Sequence, residues 1–162
     1  MADKRRWEPT PFLDAFVLDR AMARLLTRAF ADAPINPVDY ALYSSIALFS
    51  SRAEENSSDA EDNDVTATQL ANDLKVPLTT MTDWIAGPVR RGHVVRRRSD
   101  RDGRAWALSL TPAGSEALAG GRTAFGRAYE AFLQHTTVDP DELSTTLTAM
   151  AHAVARAAED LD

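Results

Sequence analysis

Between residues 66 and 110 the spacing of apolar side chains changes from helical to alternating, and this change limits the fold more than any other feature. Thr66-Ala67-Thr68-Gln69 is a capping-box pattern ahead of Leu70, Ala71 and Leu74, which predicts a short helix. KVPLTT (75–80) then turns the chain into a second helical segment, with Met81, Trp84, Ile85 and Val89 on one face and Gly92 as its stop. In AWALSL (105–110) the period drops to two: Trp106, Leu108 and Leu110 alternate with Ala105, Ala107 and Ser109, as in a half-buried strand. HVVRRR (93–98) supplies a pairing partner, and SDRDGR (99–104) between them holds Asp-Gly, a strong hairpin turn signal. The register stays open, because a loop longer than two residues shifts every pairing. Two short helices joined by a tight turn and followed at once by a β-hairpin make a winged helix-turn-helix.

Longer helices flank this core. Residues 11–33 carry Phe12, Phe16, Leu18, Met22, Leu25, Leu26, Ala29 and Phe30 at helical spacing. Asn36-Pro37 reads as an N-cap and first helical residue, opening a helix to about residue 52 with Tyr40, Tyr43, Ile46, Ala47 and Phe49. Thr111-Pro112 starts a helix to about residue 134, in which Gly120-Gly121 reads as a bend. Asp139-Pro140 starts the last helix, where Leu143, Leu147, Met150, Val154, Ala157 and Leu161 recur at alternating steps of four and three. Such a seam requires a partner helix. The expected fold is mainly α with a small β-hairpin wing.

Charge is distributed unevenly along the chain. The formal net charge is −6, yet residues 89–104 hold seven arginines. Six carboxylates fall in 54–64 and six more between Asp139 and Asp162, so the remainder of the chain is net positive. Residues 53–64 lack periodicity and are expected to form a solvated acidic loop. Local charge bears on nucleic-acid binding more than the overall balance does. With no cysteine, the chain has no disulfides or thiolate metal sites, in keeping with a reducing, cytoplasmic setting. The N-terminal MADKRRWEPTPF lacks the apolar run of a signal peptide, and no stretch is long enough to span a bilayer.

The stretch 65–114 resembles the winged helix of the multiple-antibiotic-resistance-regulator (MarR) family. The resemblance rests on TQLANDL, TTMTD, RRGHVVRR, DRDGRA and SLTPAG, in order and at the family's spacing. The helix order outside the core also matches. The resemblance implies an organisation of 1–52 as N-terminal dimerisation helices, 53–64 as the acidic loop, 65–111 as the DNA-binding core and 112–162 as C-terminal dimerisation helices. These form one interleaved unit in a homodimer whose two winged helices straddle successive major grooves of a palindromic operator. Leu18, Met22, Leu143, Leu147, Met150 and Val154 are expected in the dimer interface. A ligand-responsive repressor is implied, with a small aromatic or phenolic effector bound between the dimerisation helices and the winged helix.

On the recognition helix, Thr79, Thr82, Asp83 and Arg90 lie opposite the Met81/Trp84/Ile85 face, with Thr80 near the N-terminus. Threonine can bond base edges or phosphates, and Asp83 can accept from a cytosine amino group. The plain alternative is a solvated polar face. Asp83 stands where the family usually carries a basic residue, and Gly87-Pro88 predicts a kink or a 3₁₀ final turn. In the wing, Arg104 matches the family's minor-groove arginine and Asp102 the aspartate that orients it; a narrow minor groove concentrates negative potential. Arg96, Arg97, Arg98 and Arg101 are expected on phosphates. Charge runs more often only keep a strand edge soluble, but arginine rather than lysine is the better forked phosphate ligand.

Trp84 and Trp106 are expected in the core, packing the short helices on the hairpin. Phe125, Tyr129 and Phe132 are candidates for the effector crevice. His93, His135 and His152 are scattered without ligand-like spacing. No nucleophile elbow, phosphate-cradling glycine loop or acid pair is present, so neither an enzyme nor a resident cofactor is expected. The competing reading is a winged-helix protein-interaction module whose arginines dock an acidic partner.

Overall fold

Side-chain caps mark four of the helix starts. In the computed structural model, which describes residues 11–55, 64–99 and 106–161, the chain runs α1 (Pro11–Ala29), α2 (Pro37–Glu55), α3 (Ala67–Asp73) and α4 (Leu78–Arg90). It continues through β1 (Val94–Arg98), β2 (Trp106–Leu110), α5 (Pro112–Leu133) and α6 (Pro140–Glu159). Asn36 Oδ1 accepts the Asp39 N–H at 2.8 Å and opens α2. Thr66 and Gln69 form the reciprocal capping box of α3. Thr111 caps α5 by accepting from the Gly114 N–H, and Asp139 caps α6 by accepting from Asp141 and Glu142. Each such cap contributes on the order of 1 kcal/mol by satisfying amides the helix leaves open.

The core is formed by α2, α3, α4, the hairpin and the first half of α5. Leu42, Tyr43, Ile46, Leu70, Met81, Ile85, Val94, Leu108 and Leu118 meet there with almost no exposure. β1 and β2 pair antiparallel, Val94 opposite Leu110 and Arg98 opposite Trp106. The segment before α3 extends this ribbon: the Leu108 N–H donates to the Val65 carbonyl at 2.8 Å, and Thr66 bridges Ala107.

One expectation from the sequence narrows and another changes. The second helix of the motif stays α-helical through Pro88 to Arg90, with no 3₁₀ final turn. It then closes in a Schellman motif, the Gly92 N–H on the Val89 carbonyl and the His93 N–H on the Pro88 carbonyl. Gly92 has φ +72°, the left-handed conformation this closure requires. The Pro88 ring is fully buried, so its packing and the double closure offset the missing N–H. Gly120-Gly121 marks a close approach within an unbroken α5. A Cβ at Gly120 would lie 2.6 Å from Pro34 Cγ, and one at Gly121 would lie 2.8 Å from Ile35 Cδ1 and Tyr40 Cδ2.

Outside the core, α1 buries none of its residues and α6 has no substantial packing contact with another described element. The last turns of α1 rest on α5, with Leu25, Leu26 and Ala29 half-buried, so the apolar stripes left open are those of α6 and of α1 from Phe12 to Met22.

Candidate nucleic-acid interface

The second helix of the motif, α4, is anchored by Met81, Ile85 and Pro88, and its other side faces outward. Thr79, Thr82, Asp83 and Arg90 are exposed there and Thr80 is half-buried, so all five expected residues share the accessible side. The Thr82 hydroxyl donates to the Leu78 carbonyl at 2.9 Å, which spends its proton and leaves the oxygen as an acceptor.

Residues directly opposite across an antiparallel pair share a face. Val94/Leu110, Arg96/Leu108 and Arg98/Trp106 therefore share one face of the hairpin, and Val95/Ser109 and Arg97/Ala107 the other. The wing arginines thereby separate. Arg97 forms an ion pair with Asp64, beside the bridge that ties Thr66 to Ala107. Arg96 and Arg98 are exposed on the opposite face. Arg101, Asp102 and Arg104 lie outside the described residues, as do residues 56–63 of the expected acidic loop.

Trp106 corrects the sequence reading. Trp84 packs half-buried against the core as expected, but Trp106 is 46% exposed. Alternation correctly groups it with Leu108 and Leu110; the core, however, ends at Leu108, and Trp106 lies one step beyond it. The Arg98 guanidinium sits over the indole, 4.4 Å from the ring centre. This contact was missed, although an aromatic opposite an arginine at a hairpin's distal end is its sequence signal.

Behind α4 lies a polar network with no short-range signal. Asp39, in the first turn of α2, is buried and accepts from Arg91 Nη2 at 2.7 Å and from Asn36 Nδ2 at 3.0 Å. Arg91 Nη2 also donates to the Tyr43 hydroxyl at 3.4 Å, and that hydroxyl shares a 3.0 Å hydrogen bond with His93 Nδ1. Burial pushes the Tyr43 phenol above its ordinary pKa, although the Arg91 hydrogen bond opposes this. The hydrogen bond to Tyr43 raises Arg91, partial burial lowers it, and Asp39 adds to the rise. Arg91 is thus fixed at the end of α4 while Arg90 beside it points outward.

Leu18, Met22, Leu147, Met150 and Val154, expected between subunits, are 37–51% exposed, and Leu143 is half-buried. Tyr40 stacks on Phe125 with ring centres 5.0 Å apart and tilts against Phe30 at 5.6 Å, an aromatic row joining α2 and α5 next to the end of α1. Tyr129 and Phe132 stack at 6.5 Å further along α5. Among the described residues no cluster of histidines and carboxylates could hold a metal ion, and no helix is long and apolar enough to cross a membrane.

No protein-family model matches the sequence, and no curated protein sequence matches it. Solved structures match it closely in shape. The PcaV transcriptional regulator from Streptomyces coelicolor, solved with its natural ligand, is 18% identical and superposes with a TM-score of 0.72 over 97% of this chain and 99% of its own. The M. tuberculosis transcriptional regulator MosR, solved with DNA, is 18% identical with a TM-score of 0.70 over 94% and 98%. Wild-type E. coli MarR in its apo form is 17% identical with a TM-score of 0.63 over 91% and 98%. The chain therefore has the MarR-type winged-helix fold, and the expected fold class holds over nearly its whole length.

Proposed function

We propose that this chain, folded as a MarR-type winged helix, belongs to that family and is a homodimeric, sequence-specific DNA-binding transcription regulator acting in the cytoplasm. The observation that carries this reading is the joint exposure of the threonine-bearing side of α4 and the arginines of the adjoining hairpin, in a chain that is acidic overall. An α-helix fits the major groove, and arginines on a neighbouring ribbon supply the phosphate contacts that set its register. Structures of the same fold solved on DNA, MosR among them, support the assignment.

Two further parts belong to the proposal. The open apolar stripes of α1 and α6 associate with those of a second copy, spacing two winged helices about one helical turn, roughly 34–36 Å, apart on a palindromic operator. A small aromatic or phenolic ligand releases the protein from DNA, so that it acts as a repressor. The natural ligand in the PcaV structure and the aromatic row of Phe30, Tyr40 and Phe125 support that part.

Selection from a randomised duplex pool, followed by gel shifts across a salt series, tests the reading. A dyad-symmetric site is expected, with affinity falling steeply as salt rises, because bound arginines displace condensed counterions. Arg104→Ala should weaken binding to the selected site by about 1–3 kcal/mol. Absence of any shift at low salt would instead favour the reading as a module whose arginines dock an acidic protein.

A further inference from the structure

The exposed pairing of Arg98 with Trp106 has a use that packing does not supply. The two are direct partners at the distal end of the described strands, and the indole lies outside the core that buries Leu108. A tryptophan left 46% exposed uses only part of its ring in packing, and a strand-forming polar residue would maintain the backbone pairing at that position. Its distinctive contribution is the ring face beneath the guanidinium.

We propose that Trp106 is a positioning residue, holding the Arg98 guanidinium extended at the hairpin so that it meets a phosphate of bound double-stranded DNA. The inference rests on the DNA-binding reading above and adds a residue to it. A guanidinium uses its two surfaces differently. Its flat face interacts with an aromatic ring, whereas its N–H donors radiate from the edge in a fork that matches two phosphate oxygens. Lying over the indole therefore leaves phosphate binding possible and removes part of the rotamer freedom that an unsupported arginine would lose on binding.

The hairpin's division of labour is consistent with this. Arg97, on the other face, is engaged with Asp64 next to the bridge between Thr66 and Ala107, and helps fix the hairpin to the segment before α3. Arg98, on the opposite face, lies over the Trp106 ring. DNA seated on this face would also cover the indole, so burial of Trp106 and desolvation of the cation–π contact both strengthen on binding.

The test is fluorescence anisotropy of a labelled random-sequence duplex at low salt, with the full-length wild type, Trp106→Thr, Trp106→Tyr, Arg98→Ala and the Trp106→Thr/Arg98→Ala double variant. Threonine retains strand propensity while removing the ring, and thermal melting confirms that each variant folds. Trp106→Thr should weaken binding about two- to fivefold, the worth of an exposed cation–π contact, and Trp106→Tyr should restore part of the loss. The double variant should bind no more weakly than Arg98→Ala, because the ring acts through that arginine. Wild-type affinity in Trp106→Thr would overturn the positioning role, as would a double variant whose loss equals the product of the two single losses. If Trp106→Thr fails to fold, the Trp106→Tyr variant combined with Arg98→Ala decides the same question. A wild type that does not bind the duplex would overturn the DNA-binding reading as well, an outcome distinct from either of these.

Discussion

Arg91 Nη2 lies 2.7 Å from Asp39 Oδ2 and so joins the end of α4 to the first turn of α2, across 52 residues of sequence. This bond connects the proposed recognition helix to the helix that reaches the aromatic row. Removing Asp39 would leave a buried site with the donors of Arg91 and Asn36 unmatched, which costs about 1–3 kcal/mol. Removing Arg91, which is partly exposed and screened by water, should cost less, on the order of 1 kcal/mol. Urea denaturation of Asp39→Ala and Arg91→Ala should show lowered midpoints at unchanged slope, the larger drop for Asp39→Ala. Equal, wild-type midpoints for both would show that the ion pair contributes nothing to the fold.

Tyr43 links the same network to pH. Burial, the largest influence, holds its pKa above the ordinary 10.0, so the folded chain keeps this proton more tightly than the unfolded chain does. The associated stability is fully present below pH 10 and is lost as pH rises through the folded-state value. Stability of the wild type should therefore fall as pH climbs beyond about 10, and part of that fall should be missing in Tyr43→Phe. At neutral pH Tyr43→Phe should cost about 0.5–1.5 kcal/mol, the net worth of the hydrogen bond shared with His93. Denaturation midpoints across an alkaline pH series separate the two effects; parallel curves for wild type and variant would refute the assignment.

Glycines in α5 should respond in opposite directions. A Cβ at Gly114 would sit 2.0 Å from the His93 carbonyl oxygen, a backbone atom at the foot of the hairpin, so Gly114→Ala must move the helix or the strand. Overpacking of this kind costs about 1–3 kcal/mol or more. At Gly126 a Cβ would meet nothing within 4 Å, and Gly126→Ala should stabilise by about 0.5–1 kcal/mol through helix propensity alone. Thermal melts of the two variants should shift in opposite senses.

How much of this was legible in the sequence depends on the reach of each interaction. Caps at Asn36, Thr66, Thr111 and Asp139 were readable because cap and amide lie within three residues of each other. The change of period at the hairpin was readable for the same reason, and the helical spacing of Met81, Trp84 and Ile85 located the exposed side of α4. Trp106 was misplaced because alternation assigns a residue to a face but does not show where the underlying core stops. Gly120-Gly121 looked like a bend because the residues it accommodates, Pro34 and Ile35, lie some 85 residues earlier, as read from the sequence numbers. The Asp39–Arg91 and Tyr43–His93 bonds join residues about 50 apart, and periodicity carries no information on such pairs.

The last helix provides a test of assembly. Leu147, Met150 and Val154 recur at steps of three and four along α6 and are 37%, 38% and 51% exposed. Met22 and Leu18 on α1 are 47% and 41% exposed as well. An isolated amphipathic helix gains stability chiefly by burying such a stripe, and α6 has no substantial partner among the described elements of its own chain. A second copy supplies one by symmetry, since a two-fold interface presents the same patch from both sides. Met150→Glu combined with Val154→Glu would place charges on the seam without touching the core around Leu42 and Ile85. This variant should sediment as a monomer, lose helical circular dichroism in proportion to the released terminal helices, and bind a palindromic site no better than a single half-site. If it stays dimeric in analytical ultracentrifugation, the α6 seam is not what holds two copies together.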